Sequence, residues 1–370
     1  MRTRVSFPLA LLALVFAALP LRPVWAISYC VGTIADLKAK LAEASTNGFS
    51  DEIKVRSGFY QPTGAQCDAL ACFEVHVTDG EMLRISGGWD ATCQAQSTHP
   101  QDTIFDGSNN YRLFFVEWQH ANIDSATISG FRNIELRNGL GTFGSSNGGC
   151  AYFSNNSGDL MLDRNVFTGC AVYNGYGGAF AASALQLYVR NNLIVNNVAR
   201  FGAGAYLDVT RSTLVASKSS YVTNNTVADN LSTLGSDGTG GLQLLSSTAS
   251  VSQVYLSNNI LYGNDAGTNR VDLDIGTARI YSANNIQGTQ RGIAGPGSTG
   301  AANLSLDPRF AGDNNYALAP ESRARDRGKD SPPGGAPSLD LSGGARVFGS
   351  HIDIGAYEAH DDVIFAGDFQ

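Results

Sequence analysis

The 370-residue chain has little charge, little histidine and, past its first half, no cysteine. Charged residues are 16 % against 43 % apolar, which excludes a disordered polyelectrolyte and leaves enough apolar sequence for a core. The five histidines are His76, His99, His120, His351 and His360. None lies between 121 and 350, so histidine-based acid–base chemistry is excluded there. The last cysteine is Cys170, so no disulfide ties the later residues together. Beyond residue 20 no run is apolar enough to span a bilayer. Glycine is plentiful, 42 of 370, but without a three-residue period, which excludes collagen.

What is present begins with a targeting pattern. Arg2 and Arg4 precede PLALLALVFAALP at 8–20, and Val24 and Ala26 are the small residues of a signal-peptidase site, so 1–26 reads as a cleaved signal peptide. A single membrane anchor is the alternative, but the run is shorter than the ~20 residues a span needs. Tyr29 before Cys30 is too bulky for a lipoprotein site. Loss of Arg2, Arg4 and Arg22 leaves 22 basic residues against 33 acids, a mature charge of −11, which disfavours nucleic acid as a partner. In an exported chain Cys30, Cys67, Cys72, Cys93, Cys150 and Cys170 read as disulfides. Their clustering predicts pairing among the first four and Cys150 with Cys170. Cys67, Cys72, His76 and Cys93 can also be read as a zinc set, although the spacing fits no common zinc module.

The strongest pattern is a repeat. Asn165, Asn192, Asn225, Asn259 and Asn285 each stand just before a short apolar run, at intervals of 27, 33, 34 and 26 residues. In RNNLIVNN, 190–197, asparagine pairs bracket three apolar residues, as in a very short strand with a bend at each end. Small-residue turns at Gly148-Gly149, Gly177-Gly178, Gly202-Ala203-Gly204 and Gly240-Gly241 open a second set of apolar runs. If each period is one turn of a parallel β-coil, the asparagines stack about 4.8 Å apart as corner braces that tolerate a left-handed backbone. An asparagine file that binds sugar or calcium is the competing reading.

Ahead of the repeats, Thr33 with Asp36 makes a capping-box-like start, and Ile34, Leu37, Leu41 and Ala44 share one helical face, predicting a helix over 33–47 that shields the end of the array. The resulting division is an N-terminal cap at 27–74, coils at 75–306, an irregular Pro- and Gly-rich segment at 307–358 and a tail at 359–370.

Bends, strand lengths and the asparagine file resemble the right-handed parallel β-helix superfamily, which includes pectate lyases, polygalacturonases, tailspikes and bacterial surface proteins. LSLDPRF at 304–310, NYALAPESRARDRG at 315–328 and above all DIGAYE within VFGSHIDIGAYE at 347–358 resemble the end of choice-of-anchor Q domain proteins. The resemblance implies an all-β, exported or surface-located solenoid and no common reaction. DDVIFAGDFQ at 361–370 is similar to IF..GF sorting tails of Gram-negative bacteria, with Asp368 and Gln370 departing from the pattern; a plain strand end is the other reading.

Chemistry on the coils is sparse. The Gly-His-Gly and paired acids of polygalacturonase-like hydrolases are missing there, and the adjacent acids Asp51-Glu52 and Asp361-Asp362 lie outside them. Asp163 and Arg190 stand two residues before Asn165 and Asn192 and project side by side, either as a surface ion pair or as the weak catalytic candidates of a polysaccharide lyase. Asp272 and Asp274 in VDLDI share a strand face, either as solvated acids or as candidate calcium ligands. No other cofactor is indicated. Tyr152, Tyr173, Tyr176, Tyr188, Tyr206, Tyr221 and Tyr255 suit contact with an extracellular polysaccharide or cell-surface glycan, so the first expectation is a binding or adhesion protein and the second a lyase.

Overall fold

Short strands ending in left-handed bends can complete their hydrogen bonding only with equivalents one period away, and the computed structural model has that pairing throughout. It describes residues 26–119, 128–141, 147–210, 218–245, 253–266, 269–292 and 298–360. The signal-peptide reading of 1–26 falls almost wholly outside these residues, as does the tail reading from 361 onward. The chain is mostly β, in long parallel sheets.

Three long arrays of parallel strands alternate along the chain, with a shorter fourth formed by Ala171–Tyr176, Val198–Phe201, Leu231–Ser232 and Asp265–Ala266. In the first, Phe73–Val77, Phe114–Trp118, the leading part of Ala151–Asp163, the leading part of Phe180–Arg190, Ala205–Asp208 and Leu242–Leu245 pair in succession. In the second, Ala26–Val31, Ser50–Arg56, Leu83–Trp89 and Ile128–Arg132 lead to the trailing parts of the same two long strands. Ser220–Thr223, Gln253–Ser257 and Arg279–Ala283 then continue it. The third runs from Gly58–Tyr60 through Leu193–Val195 to Ile286–Gln287. Parallel pairing therefore starts at Ala26, well before the boundary expected near residue 75.

Inward side chains form files along each array. Leu162, Val189, Val222 and Leu256 are paired neighbours, and all are buried. Toward the N-terminus the interior is aromatic, with Phe73, Phe105, Phe114, Phe131 and Phe153 in edge-on or stacked contact at 4.8–5.4 Å. The helix spans Ile34–Ala44, with Thr33 Oγ1 accepting from the Asp36 amide and Leu37, Leu41 and Ala44 buried. It ends at Ser45, three residues ahead of Gly48.

The bends divide two roles between adjacent residues, which corrects the reading of one asparagine as both corner and brace. Asn191, Asn224, Asn258 and Asn284 hold the left-handed backbone at φ 54–58°, and Arg164 does so at 57°. The residue after each, namely Asn165, Asn192, Asn225, Asn259 and Asn285, is fully buried. In each of these five the backbone N and Nδ2 donate to the next Oδ1, through to Asn303, at 2.8–3.1 Å. A second file at the far end of the third array runs Cys170, Asn197, Asn230, Asn264 and ends on Asp272.

The C-terminal segment has a hairpin, Phe310–Gly312 with Asn315–Leu318, and otherwise turns. It covers the outer face of the third array: Tyr316, Leu341 and Ala356 pack with Val166, Leu193 and Val195, and Leu318, Ala324 and Ile354 with Ile260 and Ile286. The corner asparagines fasten it, Asn191 donating to the Leu339 carbonyl, Asn224 to those of Asp353 and Gly355, and Asn258 to that of Lys329. Arg346, fully enclosed, donates to the carbonyls of Asp353, Gly355 and Ala356 and to Asn191 Oδ1.

Two predictions follow from burial. Asn225→Ala leaves the Asn192 backbone N–H and Nδ2 without their buried acceptor and should cost about 3 kcal/mol in urea unfolding, whereas Asn303→Ala at the end of the file should cost about 1 kcal/mol; equal costs would refute the file as a cooperative brace. Burial, with Asp79, Glu43 and Glu81 adding repulsion, pushes the Asp51 carboxyl up to about 6, and burial pushes that of Glu358 up to about 7 against the pull of Arg346. Both folded values exceed the unfolded ones, so the stability they confer is complete below about pH 4 and is lost as pH rises through 6 and 7. The melting temperature should therefore be higher at pH 5.5 than at pH 8, and Asp51→Asn should narrow the difference.

Candidate functional site

The outward positions of the second array form a file set by the same register as its core. Met161, Tyr188, Tyr221, Tyr255 and Tyr281 are paired neighbours, alternating with buried residues on either side. Tyr188, Tyr221 and Tyr255 stack with ring centroids 5.4 and 5.3 Å apart, and Tyr281 meets Tyr255 at 5.4 Å with its ring tilted by 37°. The faces of the stacked rings meet one another, so they present phenolic edges and hydroxyls, and Tyr281 at the end of the file is 38 % exposed. The C-terminal segment comes close to this file at Gly334, where a Cβ would lie 2.5 Å from the Tyr221 ring.

The sequence reading names Tyr188, Tyr221 and Tyr255 among seven tyrosines without aligning them, and leaves out Tyr281. The signal was available: each stands four residues before a file asparagine, Tyr188 before Asn192, Tyr221 before Asn225, Tyr255 before Asn259 and Tyr281 before Asn285. Alignment on the asparagines separates this set from Tyr152 and Tyr206, which stand in the first array, and from Tyr176, which ends the strand Ala171–Tyr176 of a separate sheet.

Asp163 and Arg190 are brought together as register neighbours. Arg190 Nε donates to Asp163 Oδ1 at 3.2 Å and Nη2 to Met161 Sδ at 3.4 Å. Asp163 is almost fully buried. Through Nε and Nη2, Arg190 braces Asp163 and Met161 on the neighbouring strand. Nearby, Lys218 Nζ lies 2.6 and 2.9 Å from the two carboxylate oxygens of buried Asp159, so this acid too is paired.

Asp272 and Asp274 do not converge as ion ligands. Asp272 Oδ1 accepts from the Asn264 amide and side chain and Oδ2 from the Thr289 amide. Burial pushes this carboxyl above its ordinary value. Asp274 Oδ2 pairs with Arg291 at 2.6 Å and Oδ1 accepts from the Gly276 amide. Among the described residues no three histidine, cysteine or acidic groups are placed to hold a metal ion. The cysteines are joined as Cys30–Cys93, Cys67–Cys72 and Cys150–Cys170, which takes the thiols out of the zinc reading. His76 stands between Glu74 and Glu117, at 3.1 Å from each.

On the first-array side the outward file is Phe115, Tyr152, Ala181, Tyr206 and Gln243. Ala181 interrupts the large side chains and leaves a slot floored by Ala181 and lined also by Asn147, Ser183 and Asp208. The two strands that cross this region, Ala151–Asp163 and Phe180–Arg190, run unbroken from the first array into the second.

Because Arg190→Ala leaves the nearly buried Asp163 carboxylate without its cation, it should cost about 3 kcal/mol of stability, as much as Asn225→Ala, when both are compared by urea titration. A loss below about 1 kcal/mol would mean the pair behaves as a surface ion pair. No protein-family profile matches the chain, and no curated protein or solved structure is significantly similar to it.

Proposed function

We propose that this chain is an exported or cell-surface right-handed parallel β-helix of the pectin lyase-like kind, capped by its N-terminal helix and closed by a choice-of-anchor Q-like segment, and that it binds extracellular glycan without cleaving it. Three period-locked parallel arrays and two asparagine files support the architecture. Helix Ile34–Ala44 lies against the first strands of the second array, where a cap belongs. Three disulfides and the absence, among the described residues, of any helix long and apolar enough to cross a membrane are compatible with export.

The observation that carries the function is the Tyr188–Tyr221–Tyr255–Tyr281 file. A row of hydroxyls repeating at the strand spacing, on rigid aromatic bodies, complements a polymer that itself repeats hydroxyl groups and apolar C–H surfaces. Ordering a file of packed rings in advance also lowers the entropy lost on binding. Catalysis has less support, since Asp159 and Asp163 beside this file are each engaged by a cation. Calcium enters the reading only as a bridge to a carboxylated glycan.

The test is to incubate the mature protein with neutral and acidic polysaccharides, with and without calcium, and to follow retention and chain length. Retention without cleavage is expected, weakened about fivefold by Tyr255→Ala, the equivalent of about 1 kcal/mol. Unsaturated products that vanish in Arg190→Ala would replace the binder with a lyase, and no retention on any polysaccharide would refute glycan binding.

A further inference from the structure

The slot over Ala181 is built differently from the tyrosine file. Its walls, Tyr152 and Tyr206, are register neighbours of Ala181 on opposite sides and so stand two strand spacings apart, about 9.6 Å. Each wall touches another ring: Tyr152 stacks on Phe115 at 4.9 Å and 19°, and Tyr206 meets Tyr176 at 4.8 Å in a tilted contact, Tyr176 in turn stacking on Phe201 at 5.1 Å. Between these two walls in register stands Ala181, whose side chain is a methyl group. Van der Waals contact of about 3.5–4.0 Å on each side leaves room for one saturated ring edge.

The rim supplies polar groups. Asn147 Oδ1 is a buried acceptor without a hydrogen-bond partner among the described residues. Asp208 Oδ1 accepts from the Thr210 amide and hydroxyl, while Oδ2 receives no bond among the described residues. Ser183 Oγ donates to Ser154 Oγ at 3.2 Å. Burial, then the Asp208 charge, push the Tyr206 phenol up, so it remains a neutral hydroxyl. The slot holds about 50 Å³, the size of a hydroxymethyl group or the edge of a ring rather than of a whole sugar.

We infer that this slot is a saccharide subsite that takes the edge of a neutral hexose, with its C–H surfaces against Tyr152 and Tyr206 and its hydroxyls hydrogen-bonded by Asn147, Ser183 and Asp208. The inference rests on the glycan-binding reading and adds to it a place and a chemical class. Neutrality follows from charge: Asp208 lines the slot and Glu117 lies on the same outward face two strands away, so a uronate carboxylate there meets like charge at short range.

The experiment measures dissociation constants by calorimetry for cellohexaose, maltohexaose, laminarihexaose and an oligogalacturonate, using the wild type, Ala181→Leu, Tyr206→Ala and Tyr255→Ala. Ala181→Leu fills the slot and leaves its walls in place, and a melting curve for each variant establishes that it is folded. At least one neutral oligosaccharide should bind, with affinity lowered tenfold or more, about 1.4 kcal/mol, by Ala181→Leu and by Tyr206→Ala. Unchanged affinity in folded Ala181→Leu, with loss in Tyr255→Ala, would overturn the slot and leave the glycan-binding reading intact. Binding of the oligogalacturonate alone would overturn the assignment to neutral sugar. Failure of the wild type to bind any of the four and any polysaccharide would overturn both.

Discussion

The structure depends on one repeated event: a buried asparagine whose Oδ1 accepts two N–H groups from its equivalent one period earlier, while its own Nδ2 donates onward and back to a strand carbonyl. Asn225 shows all of it, receiving the Asn192 amide and side chain, donating to Asn259 Oδ1 and to the Val189 carbonyl. A bend inside a stack of strands turns backbone groups away from the ladder, and leaving them dry and unpaired would cost about 1–3 kcal/mol each. The side-chain amide is the group that can serve donor and acceptor at once in that position. The preceding residue must then accept a left-handed backbone, which explains why the pair, and not the single asparagine, is the repeated unit.

This brace also explains the uneven periods. Intervals of 27 and 26 residues occur where the chain passes briefly between first and second arrays, as in the unbroken strand Phe180–Arg190. Intervals of 33 and 34 occur where Asp208 connects to Ser220 and Leu245 to Gln253 through longer segments. The constraint acts at the corners and tolerates insertion elsewhere, so a strict period was never required and the register survives. Outward chemistry inherits that register: the tyrosine file is a consequence of counting four residues back from each brace.

Much of the β organisation was legible because asparagine is rare inside strands and its recurrence is therefore conspicuous. The second file was present but diluted. Its left-handed places are filled by Gly169, Asn196, Asp229 and Gly263, and its ends by Cys170 and Asp272, so only Asn196-Asn197 repeats the doublet. The helix start was legible from Thr33 and Asp36, because a capping hydrogen bond is local in sequence. Ala181 as the floor of a slot was not, because a small residue acquires meaning only when register sets tyrosines on both sides of it. The Asp163–Arg190 adjacency was readable from equal offsets, whereas the engagement of both partners depended on side-chain geometry.

The C-terminal signature acquires a physical role on the same terms. The third array has apolar residues on its outer face as well as its inner, and Val166, Leu193, Val195, Ile260 and Ile286 would otherwise meet water. DIGAYE answers this residue by residue. Asp353 accepts from the Asp326 and Ala359 amides, Ile354 fills the space beside Ile260, and Ala356 donates its amide to Thr226 Oγ1. Gly355 sits at φ 107°, where a Cβ would come within 2.7 Å of Ile260 and 3.0 Å of Thr226 Oγ1, so glycine is required by both backbone and space. Glu358 accepts from the Phe348 and Asp353 amides and lies 3.7 Å from enclosed Arg346. Asp353, Ile354, Gly355, Ala356 and Glu358 are thus occupied in fastening the segment to the array. A motif so engaged can be retained for stability alone.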